Sequence, residues 1–360
     1  MVVELNKLLQ LIVDKKASDL HLAVGIPPTV RLHGGLRPLN LPPLTPQDTT
    51  DFMKAITPER CQQELKEKGG CDFGFAFEKK ARFRTSIFMQ KGNIGLVLRL
   101  IPSKLLSFED IGLPPSVKNL LFRPRGLVLV TGPTGSGKTT TLATMVDFIN
   151  IENDCHIITV EDPIEYYHEH KKSIINQREI NVDVGTFSEA IRRGLRMDPD
   201  VILVGEMRDL DTIGAAITAA ETGHLVFGTL HTTGAARTIN RIVDAFPVEQ
   251  QEQIRAQLST ALLAVISQAL MPKADGGIIA AFEIMIVNSA VEHLIRENQT
   301  HKITSAIQTG ASQGMILLDD FLYNLFIQKK ITYQTMMGSA QNPSDLEQKI
   351  KEFTYATQKK

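Results

Sequence analysis

From Gly126 onward the chain alternates strand-length apolar runs with helical patterns. GLVLVT (126–131), HIITVED (156–162), VILVGEM (201–207) and HLVFGTL (224–230) are dominated by branched and aliphatic side chains. Such runs are expected of strands buried on both faces of a mostly parallel sheet. Between the first two, residues 139–150 place Leu142, Met145, Val146 and Ile149 on one helical face, as a 3.6-residue period requires. Asp209 stands where an N-cap would open an alanine-rich helix ending near Gly223. One more apolar strand, IIAAFEIMIV (278–287), follows, and helical patterns run from there to the end.

The first hundred residues have another texture. Short strand-like pieces at 29–32, 82–89 and 95–101 alternate with turn residues and helical stretches, which predicts a small α+β domain. MVVELNKLLQLIVDKK (1–16) is broken by Glu4, Lys7 and Asp14, so it reads as an amphipathic helix and not as a secretory signal. The expected organisation is an N-terminal domain over 1–105, a linker with three prolines over 106–125, an α/β core over 126–271 and a mostly helical region over 272–360.

Composition narrows the function classes. Over 360 residues, 39 basic against 40 acidic side chains leave a net charge of −1, which gives no electrostatic reason to expect a nucleic-acid binder. Apolar stretches such as ALLAVIS (261–267) fall well short of the roughly 20 residues that span a bilayer, so a soluble, intracellular protein without membrane insertion is expected. Cys61, Cys71 and Cys155 are odd in number and never in a CxxC pair, and they read as incidental, neither disulfide framework nor zinc site. His168 and His170 read as solvated surface.

The chemistry starts at GPTGSGKTTT (132–141), which satisfies G-x-x-x-x-G-K-[ST] with a strand before it and a helix after it. Gly132, Pro133, Thr134, Gly135, Ser136, Gly137, Lys138, Thr139 and Thr140 are the candidate phosphate cradle. Glycines let backbone N–H groups turn onto phosphate oxygens, and the following helix aims its positive dipole end at them. Lys138 is expected to neutralise β/γ charge, and the Thr139 hydroxyl to face Mg2+.

A P-loop serves many engines, and the other strands discriminate. There is no Asn-Lys-x-Asp base-reading motif and no LSGGQ-like signature. HIITVEDPIEY ends a strand with Glu161, Asp162 and Glu165, VILVGEMRD carries Glu206, and HLVFGTLHT frames His224 and His231. The carboxyl ends of strands in an α/β sheet are where ligands sit, and acidic groups there can hold Mg2+ or orient the attacking water.

GPTGSGKTTT, ITVEDPIEY, DPDVILVGEMRD and GTLHTT resemble, in order, the Walker A, Asp box, atypical Walker B and His box of the secretion-superfamily ATPases of type II secretion and type IV pili. The likeness extends to ASDLHLAVGIPPTVRLHGGL (17–36). Extension and secretion members carry a four-cysteine zinc insertion where QALMPKADGGIIAAFE (268–283) runs through without cysteine. AVEHLIRE (290–297) and HKITSAIQTGASQGM (301–315) are similar to the pilus-retraction branch, although Val291, Glu292 and His293 replace the usual Ile-Arg-Asn.

That resemblance implies an N-terminal PAS-like domain followed by a RecA-like P-loop NTPase domain with a helical C-terminal region. It implies ATP and Mg2+, a homohexamer with ATP between subunits, and a cytoplasmic location at the inner membrane through a platform protein (PilC-like), with an accessory PilU-like sibling possible. Glu206 is expected to order Mg2+ and its waters, Glu165 to act as general base with Glu161 assisting, and His231 to sense the γ-phosphate. Arg84 and Arg99 of the first domain match arginines that reach the phosphates, with Arg82 the alternative. The readings left beside retraction are an accessory retraction ATPase, an extension or type II secretion ATPase and, from another class, a nucleic-acid translocase.

Overall fold

The computed structural model describes residues 4–32, 34–78, 80–101 and 105–358. The chain divides into two units, Met1–Leu105 with the short segment Pro163–Tyr167, and Leu106–Asp162 with His168–Lys360.

In the first unit, β1 (Asp19–Leu22), β2 (Thr29–Leu32), β3 (Gly35–Pro38), β4 (Gly70–Phe77), β5 (Ala81–Gln90) and β6 (Asn93–Ile101) form an antiparallel sheet in the order β3-β2-β1-β6-β5-β4. Strand alternation sorts the side chains: Phe83, Thr85 and Ile87 of β5 are buried while Arg84 between them is exposed. The helix Leu5–Lys15 lays Leu5, Leu8, Leu9 and Ile12 into the same core, the face its apolar spacing predicts. Residues 1–3 of the expected N-terminal helix lie outside the described residues.

Two of the cysteines are not incidental. The helix Glu59–Lys68 ends at Gly69 and the chain reverses directly into β4, which brings the Cα atoms of Cys61 and Cys71 to 5.5 Å in a disulfide. Their spacing hid the pair because the reversal between helix and strand does the joining. Cys155 stays free, its thiol 3.2 Å from the Ser173 hydroxyl.

The second unit is built on β7 (Gly126–Thr131), β8 (His156–Glu161), β9 (Ile174–Glu179), β10 (Val201–Val204), β11 (Leu225–Leu230), β12 (Leu262–Pro272) and β13 (Ile278–Ile286), in the order β13-β12-β7-β11-β10-β8-β9. All neighbours are parallel except the β12–β13 hairpin. Along β7, Leu127 and Leu129 enter one core with Ile213 and Ile239, and Val128 and Val130 enter the other with Leu142, Met145, Val146 and Ile149. Burial on both faces explains why the run is apolar throughout. A fully buried side chain such as Phe227 contributes about 2–3 kcal/mol.

Residues 106–125 carry the short helices Phe108–Ile111 and Pro115–Lys118, and Phe108, Ile111, Val117, Leu120 and Leu121 are buried in the second of these cores. AVEHLIRE forms the helix Ser289–Arg296, with Val291 and Ile295 fully buried and Leu294 partly so; Ala290, on the apolar face by spacing, is exposed. Among the described residues no helix is long and apolar enough to cross a membrane.

Candidate active site

Four motifs leave the carboxyl ends of four adjacent parallel strands, β7, β11, β10 and β8. The glycine-rich loop follows β7 and runs into the helix Lys138–Glu152. Pro133, Thr134 and Gly135 form its exposed tip, Ser136 is buried, and Thr139 and Thr140 lie in the helix's first turn. At Gly132, with φ +144°, an added Cβ would meet the Gln268 carbonyl oxygen at 2.3 Å and the Ser136 hydroxyl at 2.6 Å, so only glycine fits. The Lys138 ammonium donates to the carbonyls of Gly132 at 2.8 Å and Pro133 at 3.1 Å. Burial holds its pKa below the ordinary lysine value, and the charge of Glu206 partly offsets that.

Glu206, after β10, is the meeting point. Its carboxylate lies 2.9 Å from His231 Nε2 and accepts from Arg208 Nε. That hydrogen bond raises the Arg208 pKa further. His231, after β11, reaches back through Nδ1 to the Thr134 hydroxyl at 3.4 Å, so one imidazole touches both the loop tip and the acidic strand end. His224 precedes β11 and lies at the strand's other end, on the Ala219 carbonyl at 3.0 Å. Glu161 closes β8, where it accepts from the Thr159 hydroxyl at 2.7 Å and from Gln177 at 3.2 Å.

The remaining expected residues belong to the first unit. Asp19, Arg99 and Arg84 are successive cross-strand partners on β1, β6 and β5. Like charges placed directly opposite repel, and each arginine has an acid: Arg99 Nε lies 2.8 Å from buried Asp19, and Arg84 lies 3.8 Å from Glu165. Arg82 donates to the Ile164 carbonyl at 3.0 Å and stacks on the Tyr167 ring at 3.9 Å. Glu165 thus sits in the segment Pro163–Tyr167, which packs within the first unit.

Can this cradle take a phosphate chain and a hard cation? The buried Ser136 hydroxyl has no hydrogen-bond partner among the described contacts, the kind of atom a bound anion satisfies. Thr139 and Glu206 supply oxygen donors of the class Mg2+ prefers.

Residues 1–314 match the model of the family described as Type II/IV secretion system protein. The chain belongs to that family. Among the relatives of this type II/IV secretion family member is the type IV pilus retraction ATPase PilT of Pseudomonas aeruginosa, 49% identical over 95% of this chain and 100% of that one. The type IV pilus ATPase PilU of the same organism is 37% identical over 97% of this chain and 92% of its own length. A crystal structure of the pilus retraction motor PilT with bound ADP superposes with a TM-score of 0.90 at 46% identity, covering 96% of this chain and 99% of that one. The family member is PilT-like in sequence and fold, with the antiparallel N-terminal sheet, the largely parallel second sheet and the helical C-terminal region already described.

Sequence reasoning missed several side chains that hold this site. Gln268 of β12 accepts from the Thr141 hydroxyl at 2.7 Å and packs against the glycine-rich loop, while Ser267 and Glu283 grip the turn after His231. A lone carboxylate inside the apolar run IIAAFEIMIV was the visible signal. His168, expected on the surface, is a correction: its side chain is only 4% exposed, beside Asp147 at 3.9 Å. Asn150, on the helix behind it, fixes the local backbone by bonding Lys171 N and Glu169 O.

Proposed function

We propose that this chain is the ATP-hydrolysing subunit of a homohexameric ring that retracts type IV pili. The observation that carries the reading is the bridge from Thr134 through His231 to Glu206, which ties the phosphate loop to the acidic strand end within one unit. The greater likeness to PilT, 49% against 37% for PilU, favours the retraction motor over its accessory sibling. The missing cysteines argue against an extension or secretion ATPase.

In this reading the loop amides and Lys138 hold the β- and γ-phosphates, and Thr139 and Glu206 hold Mg2+. Bound there, the cation would neutralise charge on the phosphate oxygens. Glu165 takes a proton from the attacking water as the bond from the γ-phosphorus to the ADP oxygen breaks, and Glu161 supports the acidic cluster. His231, held between Thr134 and Glu206, reports the γ-phosphate. Arg84 and Arg99, supplied by the separately moving first domain, stabilise the charge on the transferred phosphoryl, so that hydrolysis turns one domain against another. A head-to-tail ring closes such interfaces on themselves.

The motor works in the cytoplasm, docked on an inner-membrane platform protein. Deleting the gene and scoring piliation and twitching together tests the reading. Surface pili without twitching are expected, and loss of pili would overturn retraction in favour of extension.

A further inference from the structure

The turn that follows His231 is held from beneath by two strands. Ser267 of β12 and Glu283 of β13 are cross-strand partners and both are buried, at 7% and 5% exposure. The Ser267 hydroxyl accepts from Gly234 N at 2.9 Å, and Glu283 Oε1 accepts from Ala235 N at 2.8 Å, where the helix Ala235–Val243 begins. Those donors are among the first amides of a helix, which have no partner inside it. The turn is then stitched to itself: Thr238 donates to the Gly234 carbonyl at 2.8 Å, and its hydroxyl meets that of Thr232 at 2.7 Å. Thr232 is the residue after His231. Gly234 has φ +86°, and a Cβ there would stand 3.4 Å from the Glu283 carboxylate, so backbone and acid are fitted to each other.

Burial pushes the Glu283 pKa up, and the backbone hydrogen bond from Ala235, with the nearby Leu318 backbone at the start of the helix Leu318–Ile327 and the Gln341 side chain, pulls it back. An acid in an otherwise apolar strand costs desolvation, and no part of the proposed hydrolysis calls on it directly.

We infer that Glu283 and Ser267 are positioning residues for ATP hydrolysis, setting the His231 imidazole between Thr134 and Glu206 through the Gly234–Ala235 turn. The inference rests on the reading that His231 serves hydrolysis. A misplaced catalytic group loses rate while ground-state binding survives, so the two variants should separate kcat from KM.

The test is a mutant cycle on the full chain. Ser267→Ala and Glu283→Ala are each combined with His231→Ala, and steady-state kcat and KM for ATP are measured beside the His231 imidazole resonance. Each single variant is expected to lower kcat about tenfold, with KM for ATP within about twofold. Neither should add to the loss in a His231→Ala background. Additive losses, or single variants that turn over like the parent while His231→Ala is impaired, would overturn the inference. If His231→Ala itself hydrolyses like the parent, the role given to His231 fails, and the resonance decides positioning alone. Movement in Ser267→Ala supports it, and an unmoved signal refutes it. Should Glu283→Ala fail to fold, Ser267→Ala and Glu283→Gln carry the same cycle.

Discussion

Arg99→Ala separates two jobs that one side chain can do. In the first unit the buried Asp19 carboxylate accepts from Arg99 Nε at 2.8 Å and from the Ser18 hydroxyl at 2.8 Å, with Arg31 3.7 Å away. Burial works against ionisation of Asp19, but the hydrogen bonds from Arg99 and Ser18 outweigh it and hold its pKa below the usual carboxylate value. A hydrogen bond to a charged group is worth about 1.5–3 kcal/mol. Because the Arg99 side chain is 68% exposed, solvent screening places the loss near the bottom of that range, about 1.5 kcal/mol. For a domain of this size each kcal/mol moves Tm by about 4–8 °C, so the first unit should melt roughly 6–12 °C lower. Thermal unfolding of the full chain, with hydrogen exchange at β1 and β6 to assign the transition, reads the effect. A carboxylate with a depressed folded-state pKa stabilises above its ordinary value and loses that contribution as pH falls through the folded one. The gap between parent and variant should therefore close on acidification below about pH 4. An unchanged Tm at neutral pH, or a gap that acid leaves intact, would refute the argument.

Two further outcomes follow from the geometry. Arg84→Ala should leave nucleotide binding near the parent while ATP hydrolysis falls by roughly 10^3, the size of effect an arginine aimed at the transferred phosphoryl supplies; hydrolysis at the parent rate would sink the cross-domain role. Burial lowers the His168 pKa, with Asp147 opposing, so the unfolded chain binds the proton more readily and the stability of the second unit should drop as pH falls below about 6.5. His168→Gln should flatten that slope in melts at about pH 5.5 and 7.5, and an undiminished slope would assign it to other groups.

How much of this was legible depends on the range of each interaction. The glycine-rich loop and the strands β7, β8, β10 and β11 were readable because burial on both faces forces continuous apolar runs. The edge strand β9 was not, since INQRE is polar and Ile174 is exposed. β12 follows the helix Val248–Ala261 with no breaking residue between them, so its apolar run could not be told from more helix. Glu206 and His231 stood at strand ends and announced themselves. Ser267, Gln268 and Glu283 act across β12 and β13, at sequence separations that no local pattern encodes. Burial of His168 is equally nonlocal, set by the helix carrying Asp147 and Asn150.

The segment Pro163–Tyr167 has a practical consequence for protein engineering. The first unit is not a contiguous stretch of sequence, because five residues that complete it are encoded between β8 and β9. A chimera spliced near residue 105 would take Arg82 away from Ile164 and Tyr167 and Arg84 away from Glu165. Exchanging the N-terminal unit between members of the family therefore requires exchanging that short insert as well, and the two pieces must vary together for Arg84 to keep its acid.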